Sequence, residues 1–268
     1  MRQSLNNTRG LIDTHCHIHE DDYPLDADGV WLAAKEAGIV GLICVGTNNL
    51  SSRRAIDFAG ANKHVWATVG LHPHDAKKQT EMEGMEALAS DPKVVAIGEC
   101  GLDYYYDFSP QEIQRKVLEQ HFEIAKSLGL AMTFHIRGKM PDSSDAYEDF
   151  WEIYDRYKLP GVIHSFSAHS KQLGEVLERD LYLGVNGIST FVKPGPQMEA
   201  YKAIPLDKLL LETDSPLLTP EPNRGQVNQP RNTVLILERL SELLSIDGTE
   251  LSRMSTRNAI NLFGLKLD

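Results

Sequence analysis

Short apolar runs alternate with longer stretches of helical apolar spacing along nearly the whole chain, and this alternation constrains the fold most. Continuous apolar blocks such as Leu209-Leu210-Leu211 are typical of buried parallel strands. The alternation predicts an α/β protein with a (β/α)8 TIM barrel. An open doubly wound sheet is the alternative, but no glycine fingerprint follows the first strand. The eight predicted strands are Gly10–His15, Val40–Val45, Val65–Gly70, Val94–Gly98, Ala131–His135, Gly161–His164, Leu181–Val185 and Leu209–Glu212.

Helix signals lie between and after these strands. The stretch after Ser109-Pro110 begins with a capping-type serine and a proline at the first helical position, and Gly129 ends it. Two further helices are predicted at Asn232–Leu244 and Gly248–Phe263.

Two stretches are predicted to be long loops, and no linker or repeat divides the chain. We therefore expect residues 1–268 to form a single domain. Long loops on a barrel favour a role in shaping the substrate mouth. The two loops are Phe191–Met198 and Leu218–Arg231.

Composition and charge limit the classes of function. The 268 residues are 41% apolar and 24% charged, which is ordinary for a globular protein. The formal net charge of −11 argues against a broad basic surface that grips nucleic acid non-specifically. It does not exclude an enzyme acting on phosphodiesters, because bound divalent cations supply their own positive field.

Targeting signals are not visible in the sequence. No apolar run is long enough to span a bilayer, and the polar segment Met1–Arg9 lacks the apolar region of a secretory signal. Cys16, Cys44 and Cys100 form no Cys-x-x-Cys pair, which favours free thiols in a reducing compartment. We expect a cytoplasmic protein without a membrane association.

Residue types that bind metals follow five of the predicted strands. His15 and His17 end the first strand and share one side of it, because side chains alternate along a strand. Each residue alone would more often be a polar turn group. Together they lie at the carboxyl ends of parallel strands, which form one rim of a barrel. Four imidazoles and two carboxylates suit two metal ions better than one. The other four candidates are Glu99, His135, His164 and Asp214.

The alternation of side chains along a strand also favours a position at this rim for the two carboxylates, Glu99 and Asp214. Val95, Ile97 and Glu99 are expected on one face of the fourth strand. In the same way, Glu212 and Asp214 are expected on one face at the end of the eighth.

Five motifs in this order resemble those of the TatD family of metal-dependent deoxyribonucleases, in the amidohydrolase-like barrel superfamily. The resemblance covers nearly the whole chain and implies a TIM barrel of the metal-dependent hydrolase type. The motifs are Asp13-Thr14-His15-Cys16-His17, Gly70-Leu71-His72-Pro73-His74, Ile97-Gly98-Glu99-Cys100-Gly101-Leu102-Asp103-Tyr104, Ile163-His164-Ser165-Phe166 and Glu212-Thr213-Asp214-Ser215-Pro216.

The resemblance implies a ligand set for two divalent ions per chain, which could be Zn, Mg or Mn. His15, His17 and Asp214 would hold one metal. His135 and His164 would hold the other, and Glu99 would bridge the two.

The implied activity is hydrolysis of ester bonds, as in a 3'-5' exonuclease acting on single-stranded DNA through a metal-bound hydroxide. Asp214 would act with Glu99 in catalysis and could take a proton from the attacking water; a purely ligating Asp214 is equally compatible with the sequence. DNA is then the expected partner, and no obligate protein partner is implied.

Other polar residues near the motifs receive weaker assignments. His72 and Arg137 are expected to bind substrate, although a loop histidine and a rim salt bridge are the alternatives. Glu212 is expected to hydrogen-bond to a metal ligand, and His74 to be structural. The last group comprises the packing residues Cys16 and Cys100 and three bases that could contact a nucleic-acid backbone, Lys193, Arg224 and Arg231.

Two segments depart from the family pattern. The late loop has Asn228-Gln229-Pro230 where Asn-Glu-Pro is usual, and Gly138–Asp142 replaces a shorter, more acidic turn. Both changes could alter substrate preference without touching a ligand.

Two other functions remain open. One is an amidohydrolase that cleaves C–N or C–O bonds of a small molecule; related barrels often carry a modified lysine where this chain has Glu99. The other is a non-catalytic metal-binding barrel, which predicts the loss of ligands, whereas all six are present.

Overall fold

Eight parallel strands hydrogen-bond to one another in chain order in the computed structural model, which describes residues 10–106, 108–140 and 143–267. The first and last strands meet through a bridge between Cys16 and Ser215, and the His17 N–H donates to the Ser215 carbonyl over 2.8 Å. The sheet therefore closes into the predicted TIM barrel. The strands are β1 Leu11–Cys16, β2 Ile39–Val45, β3 Val65–Val69, β4 Val94–Asp103, β5 Ala131–Arg137, β6 Gly161–Ile163, β7 Tyr182–Val185 and β8 Leu209–Leu211.

Helices alternate with these strands, as the sequence pattern predicts. Within the described residues, none of them is both long enough and apolar enough to cross a membrane. The helices are α1 Ala27–Glu36, α2 Asn49–Ala61, α3 Met85–Ala89, α4 Gln111–Leu128, α5 Asp145–Tyr157, α6 Ser170–Glu178, α7 Ile188–Phe191, α8 Pro196–Lys202, α9 Thr233–Leu244 and α10 Gly248–Phe263.

The predicted helix ends agree with the structure to within one residue, but the predicted capping residue of α4 is wrong. Gly129 ends α4 in the left-handed conformation, at φ +66°. Pro110, and not Ser109, directly precedes α4. The Ser109 hydroxyl instead donates to the His74 carbonyl over 2.8 Å, so it ties two loops together. Of the loop predicted at Phe191–Met198, residues 192–195 are irregular as predicted, whereas Phe191 ends α7 and the last three residues begin α8.

Strand β4 is longer than predicted: it continues to Asp103, whereas the sequence prediction ends at Gly98. Gly98 and Gly101 have φ of +146° and +149°, a region that side chains other than hydrogen rarely allow. A Cβ atom at either position would overlap a β5 carbonyl oxygen, that of Thr133 or that of His135. The glycines therefore let β4 continue in close contact with β5, and Glu99 lies within the strand.

A cluster of apolar side chains from six strands fills the barrel interior. Ile12, Ile43, Ala96, Val162 and Leu210 belong to it, together with residues near the end of α10. Two hydrogen bonds place α10 at the amino-terminal end of the barrel: the Thr256 hydroxyl donates to Gly10, and the Asn258 amide donates to Leu209. The opposite end is left for polar groups. A second, larger cluster packs the helices against the strands and includes the buried free cysteines Cys16, Cys44 and Cys100.

A buried histidine joins α4 to the segment after β3. The His121 Nδ1–H donates to the Val117 carbonyl over 2.7 Å, and Nε2 accepts the Leu71 N–H over 2.9 Å. This pair of bonds needs a neutral ring. Burial lowers the pKa of His121 to about 4, although the bond to Val117 acts to raise it.

This lowered pKa predicts an acid-dependent loss of stability. In the unfolded chain His121 binds a proton below about pH 6.5, whereas in the folded protein it binds one only below about pH 4. The unfolded state therefore binds more protons between these two pH values, and the free energy of unfolding falls as the pH falls through this window. We expect the wild type to lose about 2 kcal/mol more than His121→Gln between pH 7 and pH 5. Urea unfolding at both pH values measures this. Equal losses in the two proteins would contradict the assignment.

Candidate functional site

The six predicted ligands meet at the carboxyl end of the barrel, around the buried carboxylate of Glu99. Its Oε2 lies 3.4 Å from His15 Nε2 and 3.9 Å from His17 Nε2. Its Oε1 lies 2.9 Å from His135 Nδ1 and 3.6 Å from His164 Nε2. Glu99 is thus central to four imidazoles from three strands and the loops that follow them.

Asp214 completes a second group on one side of Glu99. The Nε2 atoms of His15 and His17 lie 3.2 Å apart, as expected for residues on one side of a strand end. Asp214 Oδ1 lies 3.4 Å from His17 Nε2 and 3.7 Å from His15 Nε2. The segment after β8 is fixed by the Asp214 N–H, which donates to the His15 carbonyl over 2.9 Å.

His72 lies closer to this centre than a residue that only lines a pocket. Its Nε2 is 3.3 Å from Glu99 Oε1. His135 and His164, predicted to share one metal, have ring centroids 6.2 Å apart and fall into different groups. Three sets of ligand atoms each lie within 4.8 Å of one another: His15, His17 and Asp214; His15, Glu99 and His164; and His72, Glu99 and His135.

Three of the imidazoles use one ring nitrogen for an outer contact and turn the other towards the centre. His17 Nδ1 lies 2.8 Å from the Val45 carbonyl, which can only accept, so this nitrogen carries the proton. His164 Nδ1 lies 3.0 Å from Glu212 Oε1, and His135 Nε2 lies 2.9 Å from an oxygen of Asp103. Metal-bound histidines in proteins are held in this way. The nitrogen and carboxylate donors fit zinc, manganese or iron.

Glu212 has a contact of the kind expected from the sequence, and it is held firmly. Its Oε1 accepts the Ser165 N–H over 2.7 Å while facing His164. Asn186 donates to the Ser165 hydroxyl over 2.8 Å and supports the same turn. Gly184 leaves room for the carboxylate, because a Cβ at this position would overlap Glu212 Oε2.

Carboxylates and imidazoles shift one another's pKa values within the site. Burial acts to raise the pKa of Glu99, but neighbouring imidazoles, with His72 first, hold it well below its usual range. Burial acts to lower the pKa of His17, but Asp214, Glu99 and the bond to the Val45 carbonyl together outweigh it and raise the pKa to about 9. The pKa of His135 is likewise raised to about 9, against burial, by its two carboxylate neighbours. A cation bound here would displace the protons on the nitrogens that face the centre, because a ligating nitrogen carries no proton.

Asp103 is a site residue that the sequence analysis did not single out. Its Oδ2 lies 2.9 Å from both His135 Nε2 and His74 Nε2, so it links the site to the loop after β3. Burial acts to raise the pKa of Asp103, but the two imidazoles hold it far below its usual range. A carboxylate four residues after Glu99 in one motif was the available signal. The sequence analysis also missed Asn186, directly after β7, because nothing in the sequence except its polarity distinguishes it.

The weaker assignments are spread around the rim. The Arg137 guanidinium lies 4.0 Å from the ring centroid of Tyr105, beyond the ligand groups. Arg224 lies 4.0 Å from the Phe191 ring and donates to the Thr219 carbonyl, whereas Lys193 and Arg231 are exposed.

The two departures from the family pattern have different surroundings. Asn228 is buried, and its amide donates to the carbonyls of Thr213 and Leu217 over 2.9 and 2.6 Å, which shapes the exit from β8. Gln229 follows it in this turn. In the other departure, the structure describes Gly138 to Met140, and Pro141 and Asp142 lie outside the described residues.

Comparisons with known proteins agree on one family. The family described as TatD related DNase matches residues 12–264. The Bacillus subtilis (strain 168) protein named uncharacterized metal-dependent hydrolase YabD is 34% identical over 258 residues, covering 94% of this chain and 98% of that protein. The Citrobacter rodentium protein named 3'-5' ssDNA/RNA exonuclease TatD is 35% identical over 268 residues, covering 96% and 99%. The crystal structure of YjjV, a TatD homologue from Escherichia coli K12, superimposes with a TM-score of 0.87 at 26% identity, covering 97% of this chain and 99% of that one.

The packing of Glu212 predicts opposite effects for two glycine substitutions. Gly184→Ala should displace the carboxylate that faces His164 and weaken binding of Mn²⁺ or Zn²⁺ by about 10- to 100-fold. Gly174→Ala, on the exposed face of α6 with open space around it, should leave metal affinity unchanged and raise the free energy of unfolding by up to about 1 kcal/mol. Isothermal titration with each metal and urea unfolding provide the measurements. Unchanged metal affinity in Gly184→Ala would contradict the role of Glu212.

Proposed function

Since the chain belongs to the TatD family of metal-dependent hydrolases, we propose that it is an exonuclease that removes nucleotides from the 3' end of single-stranded DNA. The relatives named TatD carry this activity on DNA or RNA in their names. The three free, buried cysteines support a cytoplasmic location, where thiols remain reduced.

The observation that carries the proposal is the shared position of Glu99 between ligand groups. Its two oxygens face different imidazoles: Oε2 faces His15 at 3.4 Å, and Oε1 faces His135 at 2.9 Å. A carboxylate with one oxygen on each side is suited to bridge two cations. We therefore propose two divalent ions per chain, one with His15, His17 and Asp214 and one with His135 and His164, both of which face Glu99 Oε1.

The bound cations would supply Lewis-acid activation of water and neutralise charge on the phosphodiester. The chain's own carboxylates prepare the site for this charge. Asp214 lies against His17 and His15 at the edge of the barrel mouth and is buried with a lowered pKa: burial acts to raise it, but the imidazoles, with His164 first, outweigh it. It is therefore ionised at neutral pH and can accept a proton from the attacking water.

Two residues are proposed to orient the substrate. The neutral His72, whose pKa burial lowers to about 4, can donate a hydrogen bond to a phosphate oxygen beside Glu99. Arg137, exposed at the rim after β5, can pair with a phosphate further along the strand.

The exonuclease proposal predicts a definite digestion pattern. With a 5'-labelled single-stranded oligonucleotide, the metal-loaded enzyme should give a ladder that shortens one nucleotide at a time. Dialysis against a chelator should lower the rate by about a hundredfold or more, and Mn²⁺, Mg²⁺ or Zn²⁺ should restore it. Denaturing gels measure both effects.

Other digestion outcomes identify the alternatives. Internal cuts alone would contradict the exonuclease assignment. Hydrolysis of a cyclic amide or a lactone without cleavage of DNA would favour an amidohydrolase, and metal binding without any hydrolysis would favour a non-catalytic barrel.

The proton-accepting role of Asp214 can be separated from ligation. Asp214→Asn keeps an oxygen donor but removes the basic carboxylate, so kcat should fall by about 10²- to 10⁴-fold with the metal content unchanged. Metal content is measured by mass spectrometry on the same samples. The matched control is Glu221→Gln, an exposed carboxylate later in the same segment, which should keep wild-type kcat. If Asp214→Asn keeps the wild-type kcat, Asp214 does not accept the proton and can act only as a metal ligand.

A further inference from the structure

Three aromatic side chains are exposed side by side after β4. Tyr105, Tyr106 and Phe108 are 50, 39 and 52% exposed. The rings of Tyr106 and Phe108 are nearly parallel, with centroids 5.3 Å apart, and the Tyr105 ring meets Tyr106 edge-on at 4.8 Å. Large apolar side chains so exposed and so close together mark a binding surface more often than chance exposure.

The exposed apolar residues are concentrated at the same end of the barrel as the ligand groups. Besides the three aromatic residues, Leu25, Met140 and Leu217 are exposed in segments that follow a strand, and Leu50 is exposed in the first turn of α2; Leu32, within α1, is the exception. The carboxyl ends of all eight strands lie at this end. Helix α10 packs at the opposite end. Most of the exposed large apolar side chains therefore lie on the side of the barrel that carries the candidate site.

Asp103 connects the aromatic side chains to the ligand groups directly. Its Oδ1 accepts the backbone N–H groups of Tyr105 and Tyr106, each over 3.0 Å, while its Oδ2 faces His135 and His74. The His74 ring also meets Tyr106 edge-on, with centroids 5.2 Å apart. One buried carboxylate thus fixes the tyrosine backbone relative to a candidate ligand.

Positive charge lies beside these rings. The Arg137 guanidinium is 4.0 Å from the Tyr105 centroid and 5.0 Å from that of Tyr106. A surface that offers aromatic faces with an adjacent guanidinium matches a nucleotide, which has a flat base and a negative phosphate. An apolar segment of a partner protein would make no use of the positive charge of Arg137.

We propose that Tyr106 and Phe108, supported by Tyr105 and Arg137, form a stacking platform for a base of the single-stranded substrate near the scissile bond. This platform rests on the proposed exonuclease function and specifies how the substrate is held. Stacking needs a ring and tolerates any base, so the platform provides affinity without strong sequence preference.

Paired substitutions separate ring stacking from simple apolar contact. Tyr106→Leu with Phe108→Leu removes both rings but keeps apolar bulk, whereas Tyr106→Phe with Phe108→Tyr keeps both rings. The KM for a normal oligonucleotide should rise about tenfold or more in the leucine variant and stay within about twofold of wild type in the ring-retaining variant. Thermal unfolding confirms that both variants are folded.

A modified substrate tests whether the lost partner is a base. An oligonucleotide with two abasic residues at its 3' end should have a raised KM with the wild type. With the leucine variant, normal and abasic substrates should have the same KM, because the interaction has been removed from both sides. The kcat of each variant at saturating substrate should remain near that of the wild type.

The contrary outcomes are distinguishable. A leucine variant with wild-type KM, or one whose KM rises equally for the two substrates, overturns the platform and leaves the exonuclease function intact. If the wild type cleaves neither oligonucleotide, the exonuclease function fails and the platform fails with it.

Discussion

The burial of Glu99 among imidazoles is the constraint on which the rest of the site depends. A carboxylate removed from water is costly unless charged or hydrogen-bonding partners surround it, and here the rings of His15, His72, His135 and His164 do so. The backbone makes this possible, because glycines on both sides of Glu99 allow β4 to run against β5. The histidines on the other strands then converge on this one carboxylate.

Much of the fold was predictable because local signals agreed with one another. All eight strands and the positions of α4, α9 and α10 follow from apolar spacing, prolines and glycines. The error at β4 is instructive. Gly98 and Gly101 are turn signals in a single sequence, and only the approach of Thr133 and His135 from another strand shows that they extend β4 instead. Register irregularities likewise limit strand alternation near Glu99.

The sequence motifs pointed to six candidate residues for the site, but the distances between their side chains depend on the fold. The closed barrel brings the side chains of the six predicted ligands together. Sequence spacing does not fix how far a side chain reaches, so the 3.3 Å distance between His72 Nε2 and Glu99 Oε1 could not be predicted from the sequence. Asp103 was missed because its partners, His74 and His135, lie 29 and 32 residues away in the chain. Contacts of this kind depend on the fold and not on a local pattern.

The position of Asp103 has a consequence for how such an enzyme could change its specificity. The same carboxylate holds the backbone of the β4–α4 segment and the outer nitrogen of His135. A change in the β4–α4 segment that alters the shape of the barrel mouth would therefore also alter the basicity of the His135 ring. Grafting the β4–α4 segment of a relative onto this barrel would succeed only if the incoming segment kept its own aspartate in register, whereas the segment after β8 could be exchanged with less effect on His135.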